Sequence, residues 1–191
     1  MSTLRRIESA EHKKVLLKLA RESASAALGS KCVDTTTVPR IEGTFGGAFV
    51  TFWAGKRLRG CIGSFARTDD ITSTVKEVAI SSLADRRFES NPITAEELPT
   101  LDIEISVLSD LEPTSNPEVL IPGVHGIMIR RGARTGCFLP KVALEYGWTT
   151  EEFLSNCCAT KAGLSADAWR QKDTEVFLFT ADVFSESRLS P

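Results

Sequence analysis

The sequence predicts an α+β fold, and three features carry that reading. Residues 9–29 place Val15, Leu16, Leu19, Ala20, Ala24, Ala27 and Leu28 at helical spacing. Residues 101–109 alternate without interruption, with Leu101, Ile103, Ile105 and Val107 on one side and Asp102, Glu104 and Ser106 on the other, as a half-buried strand does. Two pairs of short β-rich runs, 48–53 with 58–62 and 126–130 with 135–139, are each joined by a brief turn containing glycine, which predicts hairpins and so antiparallel pairing. A chain of 191 residues buries about 70% of its extended surface on folding, enough for one sizeable core or two small ones.

In chain order, Ser9 caps the first helix and Gly29 stops it. The short, polar and turn-forming residues of 30–47, among them Thr35, Pro39, Gly43 and Gly46, read as a long irregular segment of the kind that borders functional sites. Regular alternation in 58–63 puts Leu58, Gly60 and Ile62 on one face and brings Arg59 and Cys61 together on the other. Asp70 caps a second helix that buries Val75, Val78, Ala79 and Leu83, and a turn follows at Asn91-Pro92. Three prolines and an asparagine in 111–122 mark a break that reads as a linker into a second subdomain. Thr149 and Glu152 form a capping box for a helix that turns Phe153, Leu154, Cys157 and Cys158 inward and ends near Gly163. Residues 176–184, apolar on both faces, read as one central strand.

Composition narrows the function classes. Hydrophobic residues at 42% and charged residues at 25% are ordinary globular usage, which argues against disorder. With 23 Lys and Arg against 25 Asp and Glu the net charge is −2, so the molecule has no long-range attraction for phosphate backbones or anionic lipid. Local clusters at Lys56, Arg57 and Arg59, at Arg86 and Arg87, and at Arg130, Arg131 and Arg134 read first as charged turns. No secretory signal and no membrane span is expected, and five irregularly spaced cysteines suit a reducing cytoplasm without disulfides.

Cys61 is the first chemical candidate, because Arg59, Lys56 and Arg57 nearby favour a thiolate; a cysteine that merely fills a small gap fits the same residues. Gly60 and Gly63 admit the close approach of a ligand or of another backbone, and alternation assigns Gly60 to the core side. His125 is a candidate partner, since cysteine and histidine partners are commonly distant in sequence, and reads equally as a turn histidine. Glu104 reads as a general base, an ion-pair partner or part of a solvated strand face, and Asp85 with Arg87 as substrate contacts or a helix-end ion pair. The sequence has no C-x-x-C, no H-x-x-x-H and no iron–sulfur spacing, and residues 43–47 lack both phosphate-loop fingerprints, so neither metal nor cofactor is expected.

Taken together these blocks resemble the AMMECR family. The hallmark hexapeptide LRGCIG stands unbroken as Leu58, Arg59, Gly60, Cys61, Ile62 and Gly63, preceded by G-A-F-V-T at 47–51 and followed by the D-x-R-F of Asp85, Arg87 and Phe88. Further matching blocks lie at 104–108, 125–127 and 138–140, at Trp148 and at 161–164; Arg86 departs from the proline of many relatives. The resemblance implies one domain of two antiparallel subdomains, a larger one from about 1–113 and 173–191 and a smaller one from about 114–172. It further implies that the hexapeptide faces a cleft between them. The family's activity is unsettled, and two readings of that cleft stand: an enzyme or enzyme component, with Arg59, Gly60, Gly63, Asp85 and Arg87 binding and Cys61, Glu104 and His125 reacting, or a non-catalytic module that docks a partner there. Microbial relatives are associated with a Memo-like protein and a radical-SAM protein, which implies a shared pathway and a protein partner or large substrate.

Overall fold

The computed structural model describes residue 7 and residues 9–29 and 39–189. Helix α1 (Ala10–Ala27) is capped by Ser9, whose side chain accepts the His12 N–H, and Gly29 follows it at φ +79°. Strand β1 (Glu42–Phe45) precedes β2 (Gly47–Ala54), β3 (Arg57–Ser64) and β4 (Thr68–Asp70), and helix α2 (Ile71–Leu83) starts from the Asp70 cap. The stretch expected to be irregular thus holds β1, which pairs with β4; its first part, 30–38 with Cys32, lies outside the described residues. Strand β5 (Asp102–Leu108) completes this half of the chain.

The second half contains β6 (Glu112–Thr114), β7 (Gly126–Arg131), β8 (Arg134–Phe138), α3 (Pro140–Tyr146), α4 (Thr150–Asn156), β9 (Glu175–Phe179), β10 (Ala181–Ser185) and α5 (Glu186–Leu189). The capping box opens α4, with Thr149 and Glu152 bonding reciprocally, and a π-helical turn at Cys157–Lys161 extends it. Helix α3 was not foreseen; Pro140 starts it and Gly147, in left-handed conformation, ends it.

The described residues divide into two compact units, one of Ser109–Ala181 and one of those up to Leu108 with those from Asp182 onward. The division differs from the expected 1–113 with 173–191 against 114–172. Strands β6 and β9 pair with each other and β9 also pairs with β7, so both belong to the four-stranded sheet β6-β9-β7-β8. The apolar run 176–184 is accordingly two strands, not one. It breaks at Thr180, whose N–H and C=O bond to Ser109 (3.0 Å each), and β10 joins the other four-stranded sheet, β10-β5-β2-β3.

In that second sheet the register pairs Phe52 with Ile103 and Val50 with Ile105, and these four fully buried residues form one core with Leu16 and Ala20 of α1 and Val75 and Val78 of α2. Lys13 and the Ile7 N–H bind the Asp182 carboxylate, and Arg21 binds Glu186 and the carbonyls of Leu98 and Leu101, which fastens α1 to β10, α5 and the start of β5. In the other unit Phe138, Phe153 and Trp148 pack together over Ile127, Ile129 and the buried Cys157 and Cys158.

Gly60 shows how closely α2 packs on the sheet. A Cβ at Gly60 would lie 2.3 Å from the Ser82 carbonyl oxygen of α2, inside any permissible contact. The helix end comes near enough for the Ser82 hydroxyl to accept the Ile62 N–H (3.0 Å) and to reach the Val50 carbonyl (2.9 Å) on the neighbouring strand. We expect Gly60→Val to cost about 1 to 3 kcal/mol, read as a fall of several degrees in the thermal midpoint; an unchanged midpoint would contradict this packing.

Candidate functional site

The hexapeptide occupies β3, an edge strand of its sheet, and its side chains do not alternate regularly. Gly60 pairs with Phe52 and Leu58 with Trp53, so Arg59 is the extra residue of a β-bulge. The expectation that Arg59 and Cys61 share a face therefore fails: the bulge turns Leu58 onto the face of Cys61 and sends Arg59 elsewhere. Arg59 is buried, 3% exposed, with its guanidinium on both oxygens of Glu97 (2.5 and 2.7 Å) and on the carbonyls of Asn91 and Pro92 (3.1 and 3.3 Å). The hydrogen bonds from Arg59 hold the Glu97 carboxyl below its usual range, and those to Glu97 raise the Arg59 pKa. Arg59 thus anchors residues 91–97 to the strand.

Edge strands leave backbone groups without a neighbouring strand. At Cys61 two side chains take that place. The Asp85 carboxylate accepts the Cys61 N–H (3.0 Å), and Arg87 donates to the Cys61 carbonyl (3.1 Å) while its guanidinium also binds Asp85 (2.6 Å). Asp85 further accepts the Arg87 N–H (3.1 Å), which caps the short turn Arg86–Phe88. Burial pushes the Asp85 carboxyl up, but the bonds from Arg87 and from the Cys61 N–H outweigh it, and the net shift is downward. The Phe88 ring is near both guanidiniums, 5.8 Å from that of Arg59 and 5.7 Å from that of Arg87. A hollow lined by Leu83, Asp85, Arg86, Phe88 and Pro92 opens beside this turn.

The Cys61 side chain lies on the sheet face opposite the helices. Register pairs Cys61 with Thr51 and Thr51 with Glu104, giving a Cys–Thr–Glu row across three strands. Thr51 Oγ1 donates to Cys61 Sγ at 3.1 Å. The row is not a solvated face: Thr51 is 3% and Glu104 5% exposed, whereas Cys61 is half-buried. In the next row Gly63 gives way to the Phe49 ring, 2.3 Å from where its Cβ would stand, and the buried Ser106 Oγ has no hydrogen-bond partner among the described residues. Sulfur thus accepts a bond from a hydroxyl, while the Arg87 guanidinium sits on the carbonyl of the same residue.

The expected site residues therefore sort into groups. Cys61 and Glu104 share a row, while Arg59, Asp85, Arg87, Gly60 and Gly63 build and lock the strand. His125 belongs to the other unit, where its Nδ1 accepts the Ile121 N–H (3.0 Å) and closes a turn. Thr51 and Glu97 were not anticipated. The cations of the β7–β8 turn are engaged, Arg130 with Glu175, Arg131 with Asp173 and Arg134 with the Gly163 carbonyl. Cys61, Cys137, Cys157 and Cys158 are not disulfide-linked, and burial pushes the Cys157 and Cys158 thiols up. Among the described residues no group of three or more His, Cys, Asp or Glu is placed to hold a metal ion, and no helix is long and apolar enough to cross a membrane.

Fold and site define an α+β protein with two four-stranded antiparallel sheets and a thiol on a locked edge strand. The chain belongs to the AMMECR1 family, whose model matches residues 17–184. It is 37% identical over 187 residues to a protein of Methanothermobacter thermautotrophicus, covering 93% of this chain and 96% of that one. It is 38% identical over 135 residues to protein PF1979 of Pyrococcus furiosus, a match spanning 68% of this chain and 63% of the relative. The crystal structure of protein PH0010 from Pyrococcus horikoshii superposes with a TM-score of 0.83 at 33% identity, over 95% of each chain.

Asp85 yields a test by pH. Its carboxyl is depressed in the folded state, so its contribution is present above the unfolded value of about 3.9 and is lost as pH falls through the folded value. Asp85→Ala should cost about 2 to 3 kcal/mol at neutral pH, and denaturant curves of variant and parent should converge in acid. A constant gap between the two down to pH values well below the carboxylate range would refute this role.

Proposed function

We propose that the chain is an enzyme, or a component of one, whose reacting group is the Cys61 thiol. The observation that carries this reading is the hydrogen bond from Thr51 Oγ1 to Cys61 Sγ on a half-buried strand residue whose backbone is held on its outer side by Asp85 and Arg87. A hydroxyl donated to sulfur and a guanidinium nearby both favour negative charge there, the form in which a thiol attacks an electrophilic centre. A locked backbone fixes the direction of that attack before substrate arrives. Glu104, next but one in the row, is the candidate for moving protons, whereas the His125 Nδ1 is committed to a turn of the other unit.

A second reading rests on a different observation. Arg59, Asp85 and Arg87 are all engaged within the protein, which favours a rigid, non-catalytic docking surface around the same strand. The two readings part at Thr51.

The test is the rate of alkylation by iodoacetamide, followed at Cys61 by peptide mass mapping in the native chain. Cys61 is expected to react faster than glutathione at the same pH, and Thr51→Val, with the fold intact by circular dichroism, to slow it several-fold. A Cys61 that reacts no faster than glutathione, with no effect of Thr51→Val, would remove the catalytic reading and leave the docking surface.

A further inference from the structure

The unit of Ser109–Ala181 exposes large apolar side chains in two segments, 119–124 and 144–146. Val119 is 53%, Ile121 54%, Val124 50%, Leu144 66% and Tyr146 67% exposed. The two segments meet. The Leu144 side chain sits over Gly123, where a Cβ would stand 2.7 Å from Leu144 Cδ1, and the turn 121–125 is closed by bonds from the Val124 and His125 N–H groups to the Ile121 carbonyl. Tyr146 stacks on Trp148, with ring centroids 4.6 Å apart, and Thr150 bonds to the Leu120 carbonyl, tying the start of α4 to the same turn. Contiguous aliphatic and aromatic surface of this kind, held on rigid turns, marks an interaction site.

Charge selects the occupant. The segments that build the patch, 116–125 and 140–150, contain Glu118 and Glu145 and a single cation, the partly buried Lys141. Both glutamates are exposed, each next in sequence to a patch residue. Two copies joined through this patch by a two-fold axis would bring glutamates toward glutamates, and like charges at an interface disfavour the pairing. An apolar partner edged with Lys or Arg meets no such penalty.

We propose that this face docks a cationic amphipathic segment of another protein, with Leu144 and Tyr146 as its apolar anchors and Glu118 and Glu145 as its charge readers. The face belongs to the unit of Ser109–Ala181, and the proposal does not rest on any chemistry at Cys61.

The probes are two fluorescent synthetic peptides with leucines on one helical face and either lysines or glutamates on the other, titrated against the full chain by anisotropy. The lysine peptide is expected to bind roughly tenfold or more tightly than the glutamate peptide and to weaken with salt. Leu144→Asp, checked for folding by thermal melt, should abolish binding. Glu118→Lys with Glu145→Lys, both at exposed positions, should reverse the preference. Equal binding of the two peptides, or binding that neither variant changes, would overturn the proposal. So would concentration-dependent self-association, by sedimentation velocity, that Leu144→Asp abolishes, since the face would then be an interface between copies.

Discussion

The architecture around the hexapeptide depends on one carboxylate. Asp85 is 4% exposed, and a carboxylate so placed is stable only where several donors surround it. Here the donors are the Cys61 N–H, the Arg87 N–H and the Arg87 guanidinium. One group thereby closes the open edge of a sheet, caps the turn after α2 and orients an arginine that reaches the carbonyl of the same cysteine. Strand, helix end and turn become a single unit in which none can move without leaving a buried charge short of partners.

Backbone proximity makes that arrangement possible. With no side chain at Gly60, α2 packs close enough for the Ser82 hydroxyl to enter the ladder between Val50 and Ile62. The bulge at Arg59 adds one residue on the outer strand and lets a long cation leave the sheet toward Glu97. A regular strand would have directed Arg59 to the same face as Cys61 and placed its charge near the thiol. The cation that does reach Cys61 is Arg87, through the backbone carbonyl, and it is already paired with Asp85.

Features set by local chemistry were legible in the sequence. The Ser9 and Asp70 caps, the capping box at Thr149 and Glu152, the alternation of Asp102–Leu108 and both hairpins depend on neighbours a few residues apart. The misses are features that depend on distant segments. Nothing near Arg59 announces a bulge, which exists because residues 91–97 offer carbonyls and a carboxylate to a cation from another strand. Thr180 does not interrupt the apolar run of 176–184; the break arises because the two halves of that run find partners in different sheets. Periodicity also reads a polar strand face as solvated, and could not tell that Glu104 and Ser106 are buried.

Around β3, sequence reading placed Cys61 on a strand but misassigned the residues that surround it. It grouped charged side chains by their proximity in the chain, whereas the contacts follow sheet register, which brings Thr51 to Cys61 and Asp85 to its amide. A motif of six residues therefore contains two kinds of requirement. Arg59, Gly60 and Gly63 are answered by geometry inside the protein: a carboxylate, a helix carbonyl and an aromatic ring each occupy the space that the residue type leaves or demands. Cys61 differs, because its backbone could be held equally well in any residue with an amide and a carbonyl. What the thiol adds is confined to Sγ, and the Thr51 hydroxyl aimed at that atom is the feature of the strand that its architecture does not require.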